Sequence, residues 1–438
     1  MTRTAERLAE RARGTVGEDE YEALRALTLT NIAAAAGERG SMAELARRLP
    51  LDAGQSPGEA AFQFAAQLHA RTQDDFFPEG RVHVGAIVLA ATLALAEEAG
   101  DRTLDCLAAG YRVMCDVSAS YSTEAQRAGL RPSGVFGPFG AAAAAATALS
   151  FSPAETVNAI ALAAAACGGH NQAWISSTDE WILEVGAAAR AGVEAALFTR
   201  AGARAAPEAF EGAAGWAAAH FREPGAGALA RHVAGPVTDA RVVAVKPYPV
   251  SGIAQVATDL ACGLHTALAG RRPSAVRVRL SAIESAYPGS ANTGPFTSRS
   301  GALMSVAFCV ACGLLDGRVR LDRLENPGTD DLRELLAVVD MAADTELPEN
   351  ESRVEVDVDG VTLVRTGRAA DLLFPGWPAL RADTEALARR SEADPGVVAD
   401  AAAELGRARP DAVVLRRLLS APRPTAPQST PQRAEVAS

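Results

Sequence analysis

The sequence predicts a mainly α protein in which a large all-helical domain precedes a smaller α+β domain. Apolar residues recur at helical spacing through most of the first 240 residues, whereas polar and apolar residues alternate, as they do in strands, in parts of the C-terminal third. Aromatic residues make up only 5% of the chain while alanine and glycine are abundant. This composition favours closely packed helices with small residues at their crossings over a β-sandwich.

The pattern of apolar residues changes near residue 246, from helical spacing to segments that alternate as strands do, and this change sets the predicted domain boundaries. Residues 1–245 form the helical domain and residues 246–377 form the α+β domain. We expect residues 378–418 to form helices that return to the first domain. Residues 419–438 are rich in proline, serine and threonine, a composition that predicts a disordered tail.

Individual elements follow from the spacing of apolar residues. Strands are predicted at 275–280 and 353–357, with a hairpin turn at Asp359-Gly360. The segments with helical spacing are 22–37, 86–99, 104–119, 138–149, 154–167, 185–202, 300–315 and 329–343.

Charge and hydropathy argue against several classes of partner. A formal net charge of −11 disfavours nucleic acid and anionic membrane surfaces, since both are bound through basic patches. No apolar run has the length of a membrane-spanning helix, and the charged first residues do not contain the apolar segment of a secretory signal. We therefore expect a cytoplasmic protein with no nucleic-acid or membrane partner.

The cysteines and glycines give no sign of a metal or a cofactor. The six cysteines lie in apolar helical segments, so we expect reduced thiols. Cys309 and Cys312 form a C-x-x-C, but its apolar surroundings favour buried small side chains over a redox or zinc site. No glycine-rich nucleotide motif follows a strand and no H-E-x-x-H pattern occurs. We predict neither a metal nor a cofactor.

Lysine provides the clearest compositional signal, because Lys246 is the only lysine among 42 basic residues. One interpretation is that this position needs a compact ammonium that can place a point charge or lose a proton. The other is chance: the chain favours arginine over lysine throughout, and this one lysine is an exception without functional meaning. Its context VKPYPVSG, a rigid double-proline loop at the proposed domain junction, favours a role in a cleft.

A second candidate site lies in TQDDFFPEGRVHVGA, residues 72–86. Asp74, Asp75 and His83 precede a strongly apolar helix, and a carboxylate near His83 would set its tautomer and its basicity. The alternative is a solvated loop in which an aspartate caps the helix.

A third cluster is CGGHNQAWISSTDEWILEVG, residues 167–186. Here His170 and two of the four tryptophans, Trp174 and Trp181, suggest a lined pocket, although the indoles could equally fill a gap in the core. The remaining histidines have no evident partner nearby, and we interpret them as structural; they are His69, His220, His232 and His265.

The glycine-rich run GLRPSGVFGPFG leads into a helix made almost wholly of alanine. No strand precedes this run and no lysine follows it, so a phosphate site is disfavoured. We expect Gly134, Gly137 and Gly140 to permit close packing of the helix against its neighbours.

Several of these segments stand in an order that resembles the MmgE/PrpD family. They are VHVGAIVLAATLALAEEAG, AGYRVMCDV, GVFGPFGAAAAAATAL, GAAARAGVEAALFTRAGARAAPEAFEGAAGW, KPYPVSGIAQ and SVAFCVACGLLDGRV. The resemblance covers roughly residues 20–420 of a family that includes 2-methylcitrate dehydratase, cis-aconitate decarboxylase and iminodisuccinate epimerase. It implies a helical domain with a smaller α+β lid, a homodimer without metal, and a cleft between the domains that binds polycarboxylates.

The resemblance also implies roles for individual residues. His83 matches the family's active-site histidine, and Asp74 and Asp75 match its acidic pair, of which we expect Asp74 to bind the substrate. Lys246 matches the lysine of the K-x-Y-P loop, in which Tyr248 is the aromatic residue. We expect His83, oriented by Asp75, to act as acid and base, with Lys246 stabilising negative charge.

The chain departs from the family at several of the expected substrate contacts. Arg131, close to Ser133, stands where relatives have a histidine, and Trp181 stands near the place of a substrate-binding lysine. Ser251 and Gln255 replace a cysteine and a histidine. Since a charge-assisted hydrogen bond contributes about 1.5–3 kcal/mol, a site with fewer cations favours a substrate with fewer carboxylates.

Three functional hypotheses remain open at this stage. The first is a lyase or isomerase that moves a proton beside a carboxylate or carbonyl of a small organic acid. The second is a specialised biosynthetic isomerase, dehydratase or cyclase with a bulkier, less charged substrate, as suggested by aromatic residues such as Phe76, which replaces a threonine of the family. The third is an inactive homologue that only binds ligands.

Overall fold

The computed structural model describes residues 3–49, 56–374 and 376–420. Thirteen α-helices precede residue 246 in this described part of the chain. They are α1 (Thr4–Arg13), α2 (Glu18–Gly37), α3 (Ser41–Arg48), α4 (Pro57–His69), α5 (Val84–Ala94), α6 (Ala96–Ala99), α7 (Thr103–Arg127), α8 (Pro132–Ala148), α9 (Pro153–Ala163), α10 (Gln172–Ser176), α11 (Glu180–Arg200), α12 (Trp216–Phe221) and α13 (Gly227–His232).

Helix α8 lies at the centre of this helical part. All of residues 132–146 are buried, and the helix packs against α5, α7, α9 and α11. A Cβ atom on Gly137 would lie 2.5 Å from Ile87 Cδ1, and one on Gly140 would lie 2.7 Å from Met114 Cβ. The glycines therefore allow the close helix approach expected from the sequence, and the alanines fill the remaining space at high density.

The second part of the chain combines short helices with the one sheet that the described residues form. Its elements are α14 (Gln255–Leu268), β1 (Ala275–Ser281), α15 (Ala282–Ser285), α16 (Arg299–Met304), α17 (Val306–Asp316), α18 (Leu321–Glu325), α19 (Asp330–Leu336), β2 (Val339–Asp344), β3 (Glu351–Val358), β4 (Val361–Arg368) and α20 (Ala369–Leu372). The mainly α fold class is confirmed, with a small sheet towards the C-terminal end.

The sheet has the order β2-β1-β3-β4. Strand β1 pairs with β2 in parallel and with β3 antiparallel, and β3 pairs antiparallel with β4. The hairpin turn between β3 and β4 lies at Asp359-Gly360, as predicted from the sequence. Asp359 and Gly360 both have positive φ angles, 50° and 77°, as a two-residue turn of this kind requires.

Two segments differ from the sequence-based expectation. The helix predicted at 329–343 is wrong beyond residue 336, because residues 339–344 form β2. Apolar residues at helical spacing continue through this segment, but backbone pairing with β1 outweighs that local pattern. The helix predicted at 300–315 is broken at Ser305, whose Oγ accepts a hydrogen bond from Phe308 N and so begins α17.

The last four helices of the described chain pack mainly against α2 and its neighbours. They are α21 (Trp377–Ala382), α22 (Thr384–Ser391), α23 (Pro395–Leu405) and α24 (Ala412–Ser420). The predicted tail is wrong for residues 419 and 420, which complete α24, and the rest of it lies outside the described residues. Among the described helices, none has the length and hydropathy needed to cross a membrane.

The crossing of α8 and α11 provides a test of the packing. A Cβ atom on Gly192 would lie 2.4 Å from Ala141 Cβ and 2.5 Å from the Pro138 carbonyl oxygen. We expect Gly192→Ala to lower the free energy of unfolding by about 1–3 kcal/mol, because the two helix backbones must separate. Thermal unfolding followed by circular dichroism measures the effect.

Gly263→Ala is the matched control, since Gly263 lies in α14 with no atom within 4 Å of an added Cβ. We expect this variant to be more stable than the parent by about 0.5–1 kcal/mol, because alanine restricts the unfolded chain. A Gly192→Ala protein as stable as the Gly263→Ala protein would contradict the close approach of α8 and α11.

Candidate active site

A deep cavity lies between the helical part and the sheet-containing part of the chain. It encloses about 790 Å³ of empty space, counting its open mouth. The helical part contributes His69, Thr72, Phe76, Pro78, Arg81, His83, Gln126, Arg131 and Trp174 to its walls. The second part contributes Ser251, Gly252, Ile253, Ile283, Glu284, Tyr287, Leu303, Met304, Glu349 and Asn350.

The loop between α4 and α5 carries most of the ionisable groups on the inner wall. His69 is the last residue of α4, and His83 is the N-cap residue of α5. Phe76 pairs with Ala244 through two backbone hydrogen bonds of 3.1 and 2.8 Å. Because Ala244 lies two residues before Lys246, this bridge brings the two sequence-distant segments together.

The Asp74 carboxylate contacts three other ionisable side chains, His69, His83 and Lys246, and these four residues form the cluster. Its Oδ2 atom lies 3.0 Å from His69 Nδ1 and 3.1 Å from His83 Nδ1. Its Oδ1 atom accepts a hydrogen bond of 3.2 Å from Lys246 Nζ. The side chains of Asp74 and Lys246 are both completely buried. One buried carboxylate therefore holds two imidazoles and the single lysine of the chain.

The partners of His69 fix its protonation state. Arg131 Nη2 lies 3.3 Å from His69 Nε2, and a guanidinium can only donate hydrogen bonds. His69 Nε2 must therefore be the acceptor, so the proton is on Nδ1 and is donated to Asp74. Burial, as the largest cause, lowers the pKa of His69 and agrees with this neutral ring.

His83 is placed to exchange a proton with a ligand. Its Nδ1 lies 3.1 Å from Asp74 Oδ2 and 3.4 Å from Lys246 Nζ, while Nε2 has no hydrogen-bond partner within the described ranges of the chain. The ring lines the cavity with 13% of its side chain exposed. In the tautomer that carries its proton on Nδ1, towards Asp74, the Nε2 lone pair is free and His83 can act as a general base.

Burial and the surrounding charges tune the groups of this cluster. Burial lowers the pKa of His83 well below its ordinary value; the Asp74 carboxylate opposes this effect and the Lys246 ammonium adds to it. Burial would raise the pKa of Asp74, but Lys246 and the two imidazoles outweigh it and hold that pKa well below the usual range. At neutral pH the cluster therefore contains a carboxylate and a neutral base.

The expected orientation of His83 by Asp75 is wrong, because Asp75 faces away from that ring. Asp75 Oδ1 accepts a hydrogen bond from Gly85 N at the start of α5, and Oδ2 accepts from Tyr111 and Asn31. Burial raises the pKa of Asp75 to about 6, although these donors oppose the rise. Asp75 thus holds the beginning of α5 in place, and Asp74 makes the contact with His83.

Arg131 differs from the other buried arginines of the described chain. Six arginines are buried in the described chain, and each of the other five has a carboxylate within 4 Å; they are Arg11, Arg25, Arg71, Arg112 and Arg299. Arg131 has none. It is only 3% exposed, its Nε atom is buried without a partner, and its guanidinium lies 5.1 Å from the centre of the Trp174 ring. The cavity thus contains a buried cation that no carboxylate of the described protein contacts within 4 Å, while Glu184 interacts with it electrostatically from further away.

The same cluster includes a set of atoms that could hold a metal ion. The ligand atoms of His69, Asp74 and His83 lie within 4.8 Å of one another. The positive charges of Lys246 and Arg131 contact the same groups, however, and both repel a divalent cation. The donor set is therefore better suited to proton transfer than to metal binding.

Some of the residues predicted to bind substrate line the cavity and others do not. Phe76, Arg131, Trp174 and Ser251 contribute to the walls, together with the predicted base His83. Ser133 lies behind that base, where its Oγ accepts a hydrogen bond of 3.1 Å from His83 N.

Four predicted contacts lie away from the cavity walls. The ring of His170 is exposed and faces Glu184, and Tyr248 donates a hydrogen bond to Asp259. The Gln255 side chain donates to the backbone carbonyls of Tyr248, Val250 and Ser251, so it stiffens the double-proline loop. Trp181 is completely buried behind His69 and donates from Nε1 to Ser300. These four side chains therefore do not line the cavity, and neither does Asp74, which contacts His69, His83 and Lys246.

His69 is the residue that the sequence reasoning missed. It has two partners in the cluster and lines the cavity, although no residue next to it is polar enough to signal that role. The only available signal was its separation of five residues from Asp74. His232, which we interpret as structural, has a carboxylate partner in Asp116, whose Oδ1 lies 3.1 Å from its Nε2.

Two family models match the chain. The MmgE/PrpD N-terminal domain matches residues 21–228, and the MmgE/PrpD C-terminal domain matches residues 248–370. The cavity residues Phe76, His83 and Arg131 fall in the first match, and Glu284 falls in the second. None of the curated proteins compared with the chain matches it.

The contact between Lys246 and His83 predicts a change in proton affinity. Lys246 Nζ lies 3.4 Å from His83 Nδ1, so its charge opposes protonation of the ring. We expect Lys246→Met to raise the pKa of the His83–Asp74 pair, because the repulsion is removed. Titration of the imidazole signals by ¹H–¹⁵N NMR measures this pKa, and His220 provides an unaffected reference in the same spectra. A pKa that falls or stays constant would contradict the arrangement.

Proposed function

Because the chain belongs to the MmgE/PrpD family, as the order of its motifs predicted, we propose that it is a lyase or isomerase that moves a proton beside a carboxylate or carbonyl group. Family membership supports a dehydratase or lyase type of enzyme. The single observation that carries the finer proposal is the contact of His83 Nδ1 with Asp74 Oδ2, which leaves Nε2 free at the cavity wall.

In this proposal His83 is the base of the reaction. Its Nε2 takes a proton from the carbon next to the substrate carboxylate, and the resulting imidazolium is stabilised by Asp74 through Nδ1. The electron pair of the broken C–H bond moves onto the carboxylate, where Arg131 stabilises the added negative charge. Lys246 keeps Asp74 ionised throughout, so it acts as a positioning residue.

The reaction is completed when the proton on His83 Nε2 is returned. Delivery to a hydroxyl group on the neighbouring carbon releases water and leaves a double bond, as in a dehydratase. Alternatively, the intermediate turns over in the cavity and receives the proton on the other face of the same carbon, which inverts its configuration, as in an epimerase. The low pKa of His83 favours both outcomes, since the ring enters the reaction as a free base and its conjugate acid readily gives up the proton.

The cavity walls favour the alternative in which the substrate is bulky and weakly charged. Most of the wall is apolar, and Arg131 is the lining cation that has no carboxylate partner among the described residues. The sheet-containing part supplies more than half of the lining, which supports a role for it as a lid that closes over the bound substrate. The homodimeric state, the cytoplasmic location and the independence from cofactors stay predictions.

The proposal is tested by proton exchange with solvent. We expect the protein in D₂O to introduce deuterium beside the carboxylate of one or more members of a panel of 2-hydroxy, 3-hydroxy and α,β-unsaturated carboxylates, followed by ¹H NMR. His83→Gln should lower the exchange rate by about 10²–10⁴-fold, the usual contribution of a general base.

His220→Gln is the matched control, because the recorded contacts of His220 are with its own helix: a hydrogen bond with Trp216 O and ring contacts with Trp216 and Phe221. Exchange in this variant should equal that of the parent protein. Full exchange by the His83→Gln protein, with its circular dichroism spectrum unchanged, would overturn the assignment of His83 as the base.

A further inference from the structure

We infer that the cavity selects a substrate with one carboxylate joined to an apolar body, the carboxylate binding to Arg131 beside Trp174 and a second carboxylate being rejected. This inference rests on the proposed function, because it names the class of substrate that reaches His83. It departs from the polycarboxylate specificity that the family resemblance implies.

The binding subsite for the carboxylate is defined by two buried donors. Arg131 Nε and Trp174 Nε1 are both buried, and neither has a hydrogen-bond partner in the part of the chain that the structure describes. Both side chains are 3% exposed and both line the cavity. Buried donors in folded proteins are nearly always paired, so two orphaned donors on neighbouring side chains indicate a missing acceptor.

The charge of this subsite identifies the acceptor as an anion. Among the described residues no carboxylate lies within 4 Å of the Arg131 guanidinium, Glu184 acts on it only from further away, and its recorded side-chain hydrogen bond is to the neutral ring of His69. A buried guanidinium without a counter-ion is costly, and a planar carboxylate matches its donor geometry. The two oxygens of one carboxylate can accept from Arg131 and from the indole of Trp174, which together satisfy the anion.

The remaining charges on the cavity wall leave no place for a second anion. Arg81 is the other lining arginine, and it is already paired with Glu349 at 3.2 Å. Glu284 lines the cavity and has no arginine or lysine partner among the described residues. A second carboxylate on the substrate would therefore meet an unpaired carboxylate instead of a cation.

The apolar part of the wall provides the binding surface for the rest of the substrate. Phe76 and Trp174 come from the helical part, and Ile253, Ile283, Leu303 and Met304 come from the second part. Burial of apolar ligand surface against such side chains is favourable in proportion to its area. The fit is best for a molecule that is charged at one end only.

The inference is tested with four small probes whose binding is measured by isothermal titration calorimetry at pH 7.5. The first is 3-phenylpropanoate, with one carboxylate and an apolar body. The second is 2-benzylsuccinate, which adds a second carboxylate to the same body. The third is 3-phenylpropanamide, which removes the charge, and the fourth is succinate, which removes the apolar body. We expect 3-phenylpropanoate to bind most tightly, each of the others being weaker by about tenfold or more.

Single substitutions test which residues produce this order of probe affinities. Arg131→Gln should make the binding of 3-phenylpropanoate and of the amide equal, because the cation is lost. Trp174→Phe keeps the ring and removes the donor, so it should weaken the carboxylate alone by about three- to tenfold. Glu284→Gln should strengthen the binding of 2-benzylsuccinate. Arg200→Gln, an exposed arginine at the end of α11, is the control and should change none of these affinities.

The binding experiment and the proton-exchange experiment can fail independently of each other. Binding needs no turnover, so the His83→Gln protein should show the same order of affinities as the parent. Tighter binding of 2-benzylsuccinate than of 3-phenylpropanoate would overturn the inference, as would no detectable binding of any probe or an unchanged carboxylate affinity in Arg131→Gln. Failure of the His83 variant to lose exchange would instead overturn the proposed base and leave the specificity standing.

Discussion

The buried ionic contact between Lys246 and Asp74 is the interaction on which the candidate site depends. Both side chains are shielded from water, so each would be strongly destabilising without the other. The carboxylate that is thereby kept ionised also contacts His69 and His83. If the ammonium were absent, Asp74 would have a raised proton affinity and would hold the two rings less firmly. One ion pair therefore orders two rings and connects the two parts of the chain.

Much of the helical fold could be predicted from the sequence, because amphipathic spacing is a local property. The strand β2 could not, since its residues continue a helical pattern and only pairing with β1 decides their conformation. The same distinction holds within the site. The segments containing His83 and Lys246 stand out locally, whereas the contact that joins Lys246 to Asp74 spans 172 residues. The choice between Asp74 and Asp75 depends on the direction of neighbouring side chains, which composition does not encode.

The substitutions relative to the family also need the structure for their interpretation. Trp181 was expected at the substrate because it stands near the place of a lysine, but it lies behind His69 and supports the inner wall. Arg131, by contrast, lines the cavity and combines a permanent charge with an unpaired donor. On the proposed function, the loss of a cation at one position and the gain of another at the second would change where the substrate is held, in addition to how strongly.

The position of Arg131 has a consequence for how this protein could change its substrate during evolution or engineering. Arg131 is the N-cap residue of α8, and a Cβ atom on Gly134, one turn further, would lie 2.0 Å from the Gly168 carbonyl oxygen. The backbones at Gly134 and Gly168 therefore lie too close together for α8 to move towards residue 168. New specificities are therefore more accessible through the opposite wall, where Ile283, Leu303 and Met304 can vary in size while the carboxylate anchor stays fixed.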